Sequence, residues 1–236
     1  MNRTAVVTGG SSGVGRATAL RLVKDGWRVA IVGTRADALN ETIQMSGSPD
    51  QMLACPCDLA DAGAVAAMTQ RVSQTWGFIE LLVAAAGTNI PNRSLEKLSL
   101  DDYRRVIDVN LNGVYFCVHA FLPAMRQNRR GTIVVVNSLA GLRASALSGV
   151  PYSVSKFGAA GLVQSINAEE NGNGIRATSV FPGDINTPLL DKRPNPPAKE
   201  LRLNMLQPDD VTDCVMLAVN LPQRAVIEEI MVRPCI

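Results

Sequence analysis

Histidine is almost missing from this sequence: His119 is the only one in 236 residues. One imidazole and five scattered cysteines make a poor ligand set for catalytic zinc, and no metal is expected. A Ser-His-Asp triad would have to use His119, which stands in the apolar stretch Tyr115-Phe116-Cys117-Val118-His119-Ala120-Phe121, where a buried or half-buried helix position is expected. An odd number of cysteines, in a chain long enough to bury a real core, gives no disulfide framework. Aromatic residues make up only 4%, which weighs against a surface built to stack on bases or sugars. Charge of one sign is not in excess either, with 23 basic and 21 acidic side chains and no block of like charge. Nothing here would track a phosphate backbone or an anionic bilayer, so neither nucleic acid nor membrane is expected as a partner. Uninterrupted apolar runs stop at about five to eight residues, short of the roughly 18 needed to span a bilayer. Met1-Asn2-Arg3 leads directly into a strand-like run without a signal-peptide core, and a cytoplasmic protein is the expectation.

What the chain does contain is regular alternation. Short β-branched runs at 4–8, 28–32, 52–55, 79–84, 132–137, 176–180 and 229–232 are separated by helical patterns at 14–25, 36–45, 62–76, 101–128, 152–170 and 208–219. Helices of this length supply the crossovers that parallel strands require. Strands such as Ile133-Val134-Val135-Val136 are apolar on both faces, as in a sheet covered on both sides. The expected fold is one doubly wound α/β domain over residues 1–236, with a seven-stranded parallel sheet and helices on both faces.

The first strand runs into Thr8-Gly9-Gly10-Ser11-Ser12-Gly13-Val14-Gly15, and a helix follows at once. A glycine turn opening a helix after the first strand is the arrangement of a Rossmann-type dinucleotide site. Gly9 allows the tight exit, Gly13 lets the backbone approach a pyrophosphate, and Gly15 permits close helix packing, while free N–H groups of the first turn face the anion. At the end of the second strand stands Gly33-Thr34-Arg35, with no carboxylate to accept from a ribose 2′-hydroxyl. Arg35 can clamp a 2′-phosphate bidentately with Thr34 as a further donor, which favours NADP, with NAD as the alternative. Arg35 as a solvated residue starting the next helix is the competing reading. Asp58, followed by Leu59, can meet an adenine amino group or cap the next helix.

Tyr152-x-x-x-Lys156 places phenol and ammonium on one helical face, behind Pro151, which suits a first turn. A nearby ammonium, helped by an oxidised nicotinamide, is expected to favour the phenolate and tune Tyr152 for proton transfer. Ser138, just past the fifth strand, stands where open parallel sheets bind ligands. With no histidine base to activate it, its hydroxyl is expected to polarise a substrate oxygen and not to act as a nucleophile.

These residues, in this order, resemble the short-chain dehydrogenases/reductases, in their compact single-domain branch, over essentially the whole chain. The marks are the glycine turn, Asp58, Ala84-Ala85-Ala86-Gly87, Asp108-Val109-Asn110-Leu111-Asn112-Gly113, Ser138-x-Ala140-Gly141, Tyr152-x-x-x-Lys156 and Pro182-Gly183-Asp184-Ile185-Asn186-Thr187. The resemblance implies hydride transfer between NADP(H) and a small-molecule alcohol or carbonyl, with Tyr152 as general acid/base and Lys156 lowering its pKa and holding the nicotinamide ribose. It further implies that Ser138 orients the substrate and Asn110 holds a water in the proton relay. Ser11, Ser12, Val14, Leu59, Ala86, Gly87, Gly183, Ile185 and Thr187 join the residues above at the cofactor. A homodimer or homotetramer is implied, paired through the apolar faces of the helices at 101–128 and 152–170. The chain departs from the family pattern at Ala84-Ala85-Ala86-Gly87, where Asn-Asn-Ala-Gly is usual. A substrate loop at about 187–207 is expected to form a mobile apolar lid with Leu189 and Leu190, facing Leu139, Arg143, Leu147 and Val150. Arg143 reads either as an anion-recognising group or as a solvated loop residue. A nucleotide-sensing protein on the same fold would need the glycine turn but not the acid-base residues.

Overall fold

The computed structural model describes residues 3–235, so the expectation drawn from Met1-Asn2-Arg3 falls largely outside it, as does Ile236. Seven strands, β1 (Thr4–Thr8), β2 (Arg28–Gly33), β3 (Met52–Pro56), β4 (Leu81–Ala84), β5 (Gly131–Val136), β6 (Ile175–Pro182) and β7 (Glu229–Val232), form one sheet in the order β3-β2-β1-β4-β5-β6-β7. All neighbours pair in parallel. The order reverses between β1 and β4, and this switch point is where an open α/β sheet leaves a crevice at its carboxyl end.

Strand residues alternate between two cores. Val6, Ala30, Leu82, Ile133 and Ala177 face helices α3 (Ala62–Trp76), α5 (Gly113–Asn128) and α6 (Val150–Glu170). Val7, Ile31, Val83, Val134 and Val180 face α1 (Gly13–Lys24), α2 (Ala36–Met45) and α8 (Pro208–Asn220). With both faces covered, no polar face remains on the central strands, which explains their continuous apolar runs.

The expected single helix over 101–128 is interrupted. Helix α4 (Leu100–Ile107) passes through a π-helical turn at Asp108–Asn112 before α5 begins. Gly113 packs on Leu59, whose Cβ would lie 2.7 Å from any Cβ added there, and the widened turn carries Asn110 into the interior. π-turns inside α-helices often mark functional positions. The continuous helical stretch Leu100–Asn128 is long and apolar enough to cross a membrane by length and composition, which the short apolar runs did not suggest. Its inner face, including Val114, Cys117, Val118, Phe121 and Met125, is buried in the core. His119 is exposed, not buried or half-buried: it lies on the outer face of α5 one turn beyond Tyr115, with the two rings stacked 5.8 Å apart.

The expected lid contains a 3₁₀ turn, Pro188–Lys192, and the short α7 (Lys199–Arg202). Its ends are tied by the Ile185–Leu206 bridge, with Leu206 N–H donating to Asp184 O and Asn186 N–H to Leu206 O.

At the amino end of β6, Arg176 is buried and donates to Thr132 Oγ1 and to the carbonyls of Val219, Leu221, Pro222 and Ala225. It thereby closes the loop between α8 and β7. Replacing Arg176 by Met strands four carbonyls away from their donor and is expected to cost about 3 kcal/mol in urea unfolding. A loss below about 1 kcal/mol would show that these bonds are replaced by water.

Candidate active site

Two cavities open at the carboxyl end of the sheet. One, of about 510 Å³, is lined by Gly9, Ser11, Ser12, Gly13, Val14, Thr34, Arg35, Asp58, Leu59, Ala86 and Gly87. Here the glycine turn is shaped as expected. Gly9 and Gly13 have φ of +72° and +53°. A Cβ on Gly15 would sit 2.3 Å from Gly9 O, so Gly15 packs behind the groove and is not part of its wall. Ser12, at the N-cap of α1, makes no side-chain capping bond, which leaves the N–H groups of the first turn available to an anion. Arg35 is exposed at the N-cap of α2, starting that helix, and also lines the groove; among the described residues its side chain has no ion pair or hydrogen bond.

Asp58 does not cap α3. Asp61 does, accepting from the N–H groups of Gly63 and Ala64, while Asp58 Oδ1 accepts from Ala60 N–H and Oδ2 pairs with Arg105 at 2.8 Å. The bond from Arg105 holds the Asp58 carboxyl below its usual range, so it remains an acceptor at the groove wall. In the alanine run that replaces the family's asparagines, Ala86 N–H donates to Thr8 Oγ1, so a side chain of β1 anchors the turn.

The second cavity, of about 770 Å³, holds Ser138, Leu139, Arg143, Leu147, Leu189 and Leu190 in its wall, as expected, together with Gly183. Val150 is not part of this wall; it begins α6 and is half-buried. Gly183, expected at the cofactor, lines this cavity and not the groove. Ile185 and Thr187 border both spaces, and Tyr152 does so too.

Position of Tyr152 follows from how α6 docks. Lys156 is buried, and its Nζ donates to Val136 O at the end of β5 at 2.9 Å. Asn137 Nδ2 donates back to Lys156 O at 3.1 Å, and a Cβ on Gly141 would be 2.7 Å from the same carbonyl. Lys156 Nζ lies 5.6 Å from the centre of the Tyr152 ring. Asn110 is locked behind this pair: its Oδ1 accepts from Thr88 N–H at 2.7 Å, and its Nδ2 donates to Thr88 O and Ser155 Oγ.

Electrostatics here differ from the expected phenolate. Burial pushes the Tyr152 hydroxyl above its ordinary value, opposed by the hydrogen bond with Ser138 and by the charges of Arg193 and Arg93. Burial also pushes Lys156 down to about 8. Lys156 is still mainly an ammonium at neutral pH, and burial of the phenol is the dominant influence on Tyr152.

Several site residues carried no signal in the sequence. Arg93 is buried and donates to the carbonyls of Ile90, Leu147 and Lys192, joining the loops after β4 and β5 to the lid. Lys192 Nζ donates to Thr88 Oγ1 across the groove, and Arg193 pairs with Asp184. The bonds from Arg93 to Leu147 and Lys192 and from Lys192 to Thr88 close over 54, 99 and 104 residues, where no spacing rule applies. Three thiols near the groove are held protonated: burial raises Cys55, Cys57 to about 11 and Cys117 to about 12. Among the described residues no cluster of three or more possible ligands could hold a metal ion.

A lysine proton lost early in the folded state has a measurable signature. Between pH 8 and 10.5 the unfolded chain holds a proton that native Lys156 has released, so stability rises with pH over that window. Urea unfolding across it is expected to show the wild type gaining on Lys156→Met by up to about 3 kcal/mol. A constant difference would mean that Lys156 titrates normally.

Comparison with known proteins assigns the chain to a family. The family model for short chain dehydrogenase matches residues 3–197. Glycine betaine reductase ATRR of Emericella nidulans is 31% identical over 98% of this chain, which spans only 19% of that protein. The 2-dehydro-3-deoxy-L-rhamnonate dehydrogenase (NAD(+)) of a Sphingomonas species is 33% identical over 81% of this chain and 76% of its own length. A solved metagenomic short-chain oxidoreductase in complex with NADP superposes with a TM-score of 0.85 at 30% identity, covering 99% of this chain and 97% of that one. This chain belongs to the short-chain dehydrogenase family, a family of NAD(P)-dependent oxidoreductases.

Proposed function

We propose that this protein interconverts a carbonyl and an alcohol on a small-molecule substrate with NADP(H), using Tyr152 as the proton partner. The observation that carries the reading is that Tyr152 borders both cavities, the glycine-turn groove and the space that holds Ser138. The residues present fit a dinucleotide: an uncapped helix N-terminus for the pyrophosphate, Arg35 and Thr34 for a 2′-phosphate, and Asp58 as an acceptor for an adenine amino group. Ile185 and Thr187 stand where a nicotinamide would dock. When bound, the cofactor supplies or takes the hydride.

The protein's own share is positioning and proton handling. Ser138 Oγ orients the substrate oxygen toward the Tyr152 hydroxyl, both side chains lining the same cavity. The Tyr152 phenol keeps its proton in the cofactor-free site and so has one to donate in carbonyl reduction, while the neighbouring positive charges of Arg193 and Arg93 oppose the burial shift that would make it a weaker acid. Lys156 fixes α6 on β5 and presents its ammonium to the ribose side of the groove, and Asn110 supports a water in the relay. The exposed Tyr115, Val154 and Phe157 on α5 and α6 form an apolar surface that a homodimer or homotetramer would cover. A cytoplasmic location belongs to the same proposal.

Two substitutions test this reading. Tyr152→Phe is expected to lower kcat/KM for carbonyl reduction by about a hundred- to ten-thousandfold, with NADPH still bound, as followed by nucleotide fluorescence. Retained turnover would remove Tyr152 from the proton step, and tight NADPH binding by a wild type that reduces no carbonyl would leave a sensing role. Arg35→Ala is expected to weaken NADPH at least about tenfold with little change for NADH. An unchanged NADPH/NADH ratio would rule out the 2′-phosphate contact.

A further inference from the structure

We infer that the substrate of this site carries an anionic oxygen group, a carboxylate or a phosphate, bound by Arg143 and Arg233. The inference rests on the proposed redox reading for where the substrate sits, and on the charge of the cavity for what it is. Four arginines, Arg93, Arg143, Arg193 and Arg233, line the 770 Å³ cavity against one carboxylate, Asp184. That carboxylate is already used, because Arg193 holds both of its oxygens. Arg93 is turned to three backbone carbonyls, which satisfy donors without cancelling charge. Arg143 and Arg233 are exposed, and among the described residues neither has an ion pair or side-chain hydrogen bond.

Their placement is built into the fold. Arg143 follows the 3₁₀ turn Leu139–Gly141, which Ser138 caps by accepting from Ala140 N–H. Arg233 follows β7, and Gly183 admits that tail so closely that an added Cβ would lie 3.2 Å from Pro234 and 3.6 Å from Arg233 Cα. Two elements from distant parts of the chain thus bring unpaired guanidinium groups to the space that also holds Ser138 and Tyr152. A neutral ligand filling this space would strip water from these charges without replacing it, whereas a carboxylate or phosphate accepts their paired N–H groups. The excess positive charge would also draw anions toward the cavity mouth.

The test compares matched pairs that differ in charge: acetoacetate with ethyl acetoacetate, and dihydroxyacetone phosphate with dihydroxyacetone. NADPH-dependent kcat/KM is expected to favour the charged member of at least one pair by tenfold or more, and the pair that responds assigns the anion as carboxylate or phosphate. In Arg143→Gln/Arg233→Gln that preference should fall to within about twofold of unity, and Arg143→Lys/Arg233→Lys should restore part of it. Calorimetric titration of acetoacetate and of inorganic phosphate into cofactor-free protein gives a readout that needs no turnover. At least one anion should bind, with Kd rising tenfold or more in the double Gln variant. Equal or better use of the uncharged members, anion binding unaffected by the Gln variants, or no anion binding overturns the inference while leaving the redox reading in place. Arginine-dependent binding without reduction of any carbonyl would do the reverse.

Discussion

The docking of one helix onto one strand end fixes where the side chains of the candidate site stand. Lys156 reaches from α6 to Val136 O, and Asn137 reaches from the strand end back to Lys156 O. Because both bonds are buried and Gly141 leaves no room for a side chain, α6 has little freedom to slide or rotate. Tyr152, one turn earlier on that helix, is therefore held beside Ser138, whose strand is the partner in the docking. Lys156 thus holds α6 on β5 mechanically, and the role proposed for it at the cofactor would be exerted from that fixed position.

The site is assembled from the loops after β1, β4, β5 and β6, and positively charged side chains stitch those loops together. Arg93 ties three of them through carbonyls, and Lys192 bridges the lid to Thr88. Membership of a family of NAD(P)-dependent oxidoreductases assigns the redox step to a bound cofactor, and the proposed share of this chain is to position the substrate and handle a proton. Cys57, the one thiol in the groove wall among the described residues, is kept protonated by burial.

The sheet was legible in the sequence because parallel strands buried on both faces leave continuous β-branched runs, and β1 and β7 begin and end where the pattern places them. The glycine turn and the Tyr152/Lys156 pair were legible because backbone geometry and helical periodicity are local. His119 was misjudged because an apolar neighbourhood in sequence does not say which face of a helix a residue occupies. The cap alternative for Asp58 fails because two residues able to cap, Asp58 and Asp61, precede α3 and only geometry chooses Asp61. The tyrosine's raised pKa was hidden as well, since a motif shows which charges are near but not how much water burial removes. Arg93 and Lys192 were invisible because their main partners are far away in the chain, and Arg193 because its partner Asp184 lies across an irregular loop with no periodicity to relate the two.

The most direct test of hydride transfer at the junction of the two cavities is to follow the hydrogen itself. NADPH deuterated at nicotinamide C4 would be incubated with a panel of charged and neutral carbonyl compounds, and the products examined by mass spectrometry. The account predicts deuterium on the carbinol carbon of at least one product, and none with Tyr152→Phe over the same period. Tight binding of labelled NADPH by the wild type, with no deuterium delivered to any carbonyl, would contradict it.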